Sequence, residues 1–164
     1  MKVFDIRQAT KADIPYITQS WLYTFEESPE MDLPGLIRDD YFHYQHKIID
    51  QLVPRASKGG SLYVCHVAQQ PNMIRGYLCA EAFEAFPVIH WLQVKKKDQK
   101  QGVAAALMER FYKDFDIQPG NLLYTHSCKD LRRFPNLARK AKKRYQIVYH
   151  PWLKYTTLPE AWEV

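Results

Sequence analysis

Apolar and polar residues alternate from Val3 to Gln8, the two-residue period of a short strand. The period then lengthens. Ile14, Ile17, Trp21, Leu22 and Phe25 fall on one helical face, with Thr10 and Asp13 placed to cap the start and Pro15 tolerated in the first turn. Ser28 to Gly35, with two prolines and a glycine, reads as a loop. Leu36, Ile37, Tyr41, Tyr44, Ile48, Ile49 and Leu52 then recur at helical spacing, and Pro54 is expected to end that helix. After Lys58-Gly59-Gly60 come two apolar, β-rich runs, Ser61 to Ala68 and Met73 to Phe83, separated by Gln69-Gln70-Pro71-Asn72. With Val88 to Val94 they form a predicted meander.

A helical stripe of Val103, Leu107, Met108, Phe111 and Phe115 follows within Gln101 to Phe115. Leu122 to Cys128 reads as a strand, Pro135 to Lys143 as a short basic helix, and Tyr145 to Trp152 as a last strand. The order β-α-α-β-β-β-α-β-α-β describes one α/β domain over 1–164, with a mixed, mostly antiparallel sheet flanked by helices.

Composition narrows this little: 164 residues with 46% apolar and 25% charged suffice for one core without metals or disulfides. The three cysteines, Cys65, Cys79 and Cys128, are widely spaced and read as reduced thiols. No run approaches the roughly 20 apolar residues of a membrane span, and charges interrupt the first residues, so a soluble, cytoplasmic protein with no membrane partner is expected. Charge changes the picture more. Of the formal +5, Lys129 to Arg144 carries +7 and Lys95 to Lys100 carries +3, so the rest of the chain is −5. An anionic partner at those segments is favoured.

Candidate chemistry centres on Val94 to Ala104, a strand running through a polar turn into a helix. The first turn of a helix presents unpaired N–H groups and the positive end of the dipole, which suits a pyrophosphate. Gly102 permits close approach of phosphates to the backbone, and Ala104, Ala105 and Ala106 allow the helix to lie close to the sheet.

Gln99-Lys100-Gln101-Gly102-Val103-Ala104 resembles the Gln/Arg-x-x-Gly-x-Gly/Ala signature of the GCN5-related N-acetyltransferase (GNAT) superfamily. The opening IRQATKADIPYI and Gly76 of IRGYLCAE are similar to the same family. The resemblance implies acyl transfer from acetyl-CoA to a small-molecule or protein amine by direct attack in a ternary complex. It implies that the fourth and fifth strands splay. Pantetheine would then bond to the backbone of Leu92 and Val94, and the amides of Lys100, Gln101, Gly102, Val103 and Ala104 beside Gln99 would hold the pyrophosphate. A backbone N–H near Val94 would steady the thioester oxygen.

An attacking amine must lose a proton, so a base is sought. His90, which by strand alternation shares a face with Val88, Leu92 and Val94, reads either as that base or as a histidine hydrogen-bonded within the sheet. Glu81 and Glu84 are second candidates, or a solvated strand end. His126 reads as acid, base or inward structural histidine. Tyr145, four residues after Ala141, is the nearest match to the family's thiolate-protonating tyrosine, although no Gly-Phe follows it. Cys128 is an acyl-accepting thiol or a buried one. His43 and His46 lack a third ligand, and no metal is assigned.

Two rival functions stay open. The cations of Lys129 to Arg144, followed by Tyr145, Tyr149, Trp152 and Tyr155, suit a nucleic acid, as in Mom-related DNA-modifying members of the superfamily. The missing Gly-Phe suits a catalytically silent binding or virion-associated protein.

Overall fold

The computed structural model describes residues 3–25, 38–83, 86–117, 121–126, 146–149 and 151. β1 (Phe4–Gln8) leads into α1 (Ile14–Phe25) and α2 (Arg38–Lys58), then β2 (Leu62–Val67), β3 (Gln70–Phe83) and β4 (Phe86–Val94). A single 3-10 turn over Lys96–Asp98 precedes α3 (Val103–Asp114), β5 (Asn121–Tyr124) and β6 (Gln146–Tyr149). The six strands form one sheet in chain order, antiparallel through β4, with β5 parallel to β4 and β6 parallel to β5.

The expected mixed sheet is therefore present, with different boundaries. The β2–β3 turn is the two residues Ala68 and Gln69, the latter left-handed at φ 63°, so β3 begins at Gln70 and not Met73. Pro54 does not end α2. Leu52, Val53 and Ala56 around it are fully buried, and their packing outweighs the one helical N–H that proline removes. α3 starts at Val103, two residues later than expected, because Gly102 is left-handed. The predicted helix 135–143, the Lys129–Arg144 cations, Cys128, Glu84 and Tyr145 lie outside the described residues.

Strand alternation assigns the faces. Tyr77 donates to the Ile17 carbonyl of α1, and Glu81 pairs with Arg55 of α2, so Tyr77, Cys79 and Glu81 face α1 and α2. Tyr63, opposite Leu78, bonds Asp114 of α3 on the other face. Ile17, Trp21 and Phe25 fill the first layer, and Val103, Leu107, Met108 and Phe111 the second. Ala105 is exposed, so only Ala104 and Ala106 of the three alanines approach the sheet. Among the described residues no helix is long and apolar enough to cross a membrane.

At Gly76 the layers close tightly. A Cβ there would stand 2.6 Å from the Gln93 carbonyl oxygen and 3.2 Å from Val103 Cγ1. Glycine is what lets β3, β4 and the start of α3 meet.

Candidate active site

Two features of β4 build the site. The first is a bulge: Cys79 faces Trp91 while the next residue, Ala80, faces Ile89, leaving His90 with no opposite number. His90 and Trp91 therefore point to the same α1/α2 face, His90 to Glu81 and Trp91 stacked on Trp21 at 5.2 Å. Leu92 and Val94, opposite Leu78 and Gly76, lie on the α3 face. Simple alternation put His90 on the face of Leu92 and Val94; the bulge corrects this.

The second feature is the junction of β4 with β5. Among the described residues it pairs Val88 with Leu123 and Ile89 with Tyr124, and Thr125 N–H adds a bond to the Ile89 carbonyl at 3.0 Å. The Lys95 N–H bonds Arg75 of β3, so by alternation Leu92 and Val94 direct their peptide groups to the opposite side, that of β5.

The turn after β4 is shaped by side chains. Gln99 Nε2 donates to the Val94 carbonyl at 3.2 Å, and Gln101 Nε2 to the Lys97 carbonyl at 3.1 Å. Arg75 lies 3.5 Å from Asp98 and donates to Gln101 Oε1 at 3.3 Å. Lys100 (φ 65°) and Gly102 (φ 81°) are both left-handed. Gly102 is the residue before α3, and it has no side chain to cap the amides of Val103, Ala104 and Ala105. Among the described residues nothing lies within 4 Å of the position its Cβ would take. A positive helix end thus opens onto space that a side chain would occupy, which fits a phosphate group.

On the α1/α2 face a polar chain runs past the last described bond between β4 and β5. Arg55 Nε and Nη2 grip Glu81 at 2.6 and 2.8 Å, and His90 Nε2 lies 2.5 Å from Glu81 Oε2. His90 Nδ1 meets Thr125 Oγ1 at 2.9 Å, and that oxygen meets His126 Nδ1 at 2.8 Å. His126 Nε2 lies 2.7 Å from the amide nitrogen of Gln45 on α2.

Chemistry fixes the direction of every proton. The Gln45 amide nitrogen can only donate, so His126 Nε2 accepts and its Nδ1–H donates to Thr125. The threonine hydroxyl then donates to His90 Nδ1, and His90 Nε2–H donates to Glu81. Burial, partly offset by Glu81, holds the His90 pKa below its ordinary value, so the ring is neutral. Burial would raise the Glu81 carboxyl, but the bonds from His90 and Arg55 outweigh it and hold the group ionised below its ordinary range.

No family model matches the sequence, and no curated protein matches it. Solved structures do. A possible acetyltransferase from Clostridium difficile 630 aligns over 91% of this chain and 95% of its own, at 16% identity and a TM-score of 0.58. A GNAT-family acetyltransferase from Staphylococcus aureus Mu50 aligns over 84% and 82%, at 10% identity and 0.57. A third, a Brucella melitensis GNAT-family acetyltransferase in complex with acetyl-CoA, aligns over 80% of each chain at 16% identity and 0.50. The chain has the GNAT fold. It spans only 36% of the length of a candidate acetyltransferase from Pyrococcus horikoshii, matched over 71% of this chain at 18% identity and 0.44.

Within this fold, Leu92 and Val94 lie on the α3 face of β4, and Gln99 to Gly102 form the turn that leads into Val103 and Ala104 of α3. His90, His126 and Glu81 are brought together in one chain, with both histidines fully buried. Sequence reading missed Thr125, Arg55 and Gln45. A signal was available: two histidines inside apolar runs need polar partners once buried. Cys65 and Cys79 are free and buried, and burial pushes the Cys65 thiol up to about 12, which leaves it unreactive.

Proposed function

We propose that this chain transfers an acetyl group from acetyl-CoA to an amine by direct attack in a ternary complex. The observation that carries the reading is the left-handed Gly102 at the start of α3, with no described atom within 4 Å of where its Cβ would stand; the fourth and fifth strands are taken to part beside it, as the family resemblance implies. The GNAT fold and the acetyl-CoA held by the Brucella relative support it. The amides of Lys100 to Ala104 bind the pyrophosphate, with the turn shaped by Gln99. The peptide groups of Leu92 and Val94 line the pantetheine path, and a backbone N–H beside Val94 steadies the thioester oxygen.

As the amine nitrogen bonds to the acyl carbon, the carbon–sulfur bond breaks. From an ammonium acceptor, one proton goes to the departing thiolate and one to solvent. Glu81, His90 and His126 supply the base, and Tyr145 is the candidate acid for the thiolate.

Calorimetric titration with acetyl-CoA, with ATP and NAD as controls, tests the donor site. Micromolar binding of acetyl-CoA is expected, and Gly102→Val is expected to abolish it. No binding by the wild type overturns the reading. The +7 of Lys129 to Arg144 favours a second reading, a nucleic-acid acceptor. Its mark is affinity for DNA or RNA falling by orders of magnitude between 50 and about 200 mM salt.

A further inference from the structure

Both nitrogens of His90 are occupied, Nε2 by Glu81 and Nδ1 by Thr125, so no amine can reach that ring while the chain is intact. His126 differs. Its Nδ1 is held by Thr125, but its Nε2 lone pair is met by a primary amide nitrogen, Gln45 Nε2, at 2.7 Å. An N–H donor seated on an imidazole lone pair has the geometry of a base with the group it will deprotonate. Gln45 thus occupies the position an acceptor amine would take.

The other end of the chain reaches water. Arg55 and Glu81 have side chains 27% and 12% exposed, whereas His90, Thr125 and His126 are fully buried. The last described bond between β4 and β5, Thr125 N–H to the Ile89 carbonyl, lies in the middle of this path. The chain therefore runs from Gln45 and His126, past that bond, to the surface at Arg55 and Glu81.

We infer that His126 Nε2 is the base that receives the acceptor amine's proton once the amine displaces the Gln45 amide, and that Thr125 is the positioning residue joining His126 to His90 and Glu81. This rests on the acetyl-transfer reading and deepens it. When His126 takes the proton at Nε2, its Nδ1 proton moves to Thr125. The threonine proton moves to His90 Nδ1, and the His90 Nε2 proton moves to Glu81, which releases it to solvent. One proton enters and one leaves, and the contacts His126–Thr125, Thr125–His90 and His90–Glu81 are kept with donor and acceptor exchanged. Among the described residues the charged groups facing the chain are Arg55 from α2 and Glu81 from β3, and Trp21 and Phe25 from α1 and Trp91 from β4 pack against His126.

The test uses the full-length protein, acetyl-CoA and n-butylamine, with free thiol measured against pH for the wild type, Thr125→Val and Thr125→Ser. Thr125→Val is expected to bind acetyl-CoA as the wild type does, to turn over about 100-fold more slowly, and to lose the acid limb of the rate profile. Thr125→Ser is expected to restore most of the rate. Wild-type turnover and an unaltered profile in Thr125→Val overturn the inference, as does a wild type that binds acetyl-CoA without acetylating the amine.

A wild type that binds no acetyl-CoA overturns the donor reading instead, and imidazole 15N spectra then judge the chain. They are expected to show His126 protonated at Nδ1, with a Nε2 resonance that moves when n-butylamine is added and is unmoved in Thr125→Val. A His126 resonance indifferent to the amine overturns the inference in that case. Should Thr125→Val fail to fold, Thr125→Ser and Gln45→Ala are measured the same way. Gln45→Ala is expected to lower KM for n-butylamine, because it removes the competing amide. An unchanged or raised KM overturns the inference.

Discussion

His90 and Glu81 set a pH limit on the fold that follows from their burial. Both have folded-state pKa values below their ordinary ones, so the unfolded chain binds more protons than the native one as pH falls. The His90 contribution is complete above its ordinary 6.5 and is lost as pH drops from there toward the depressed folded value. The Glu81 contribution is lost below its ordinary 4.5. Denaturant unfolding is expected to show stability declining with acid from about pH 6.5, with a slope of at most about 1.4 kcal/mol per pH unit for each proton. His90→Gln is expected to flatten the upper part of that slope; a slope unchanged by this variant would place the titrating group elsewhere. The turn into α3 was legible at Gly102, whose backbone is left-handed there. Thr125, Gln45 and Arg55 were not, because their roles arise from contacts across 26 to 81 residues of chain, which no local pattern encodes.

At the scale of elements, legibility follows the strength of the period. The stripe of α3 and the alternation of β1 repeat often enough to define their faces, whereas the bulge at His90 of β4 reverses alternation without a neighbouring glycine or proline to mark it. Pro54 misleads for the converse reason, since a local breaker loses to three buried neighbours. Gly76 belongs to this scale because three elements meet on it. A methyl group 2.6 Å from the backbone oxygen of Gln93 has no flexible side chain to displace, so β4 or the start of α3 must shift. Gly76→Ala is expected to cost about 1–3 kcal/mol of stability in denaturant unfolding. Acetyl-CoA affinity is expected to fall with it, because the strand and helix that move are those proposed to hold the donor. A variant as stable as the wild type would show that β3 and β4 part without cost.

For the whole molecule, the sheet is unevenly tied. β1 to β4 run as an antiparallel ladder, bulged between β2 and β3 and between β3 and β4, with α1 and α2 on one face and α3 on the other, while the described pairing of β5 to β4 covers two residue pairs and the Thr125 bond. The buried chain adds a second tie, from the end of β5 through His90 and Glu81 to α2. A donor bound along the parting, with its pyrophosphate on α3 and its pantetheine arm beside Leu92 and Val94, would brace β4 and α3 against β5 in the native state alone. Ligand present at 100 times its dissociation constant stabilises by about 2.7 kcal/mol, which for a chain of this length raises Tm by about 5–10 °C. Acetyl-CoA is expected to give that shift, and Gly102→Val to remove it. ATP shares the phosphates but lacks the arm, so at equal concentration it is expected to shift Tm far less. If ATP matched acetyl-CoA, the phosphates alone would account for binding, and the parting of β4 and β5 would have no part in holding the donor.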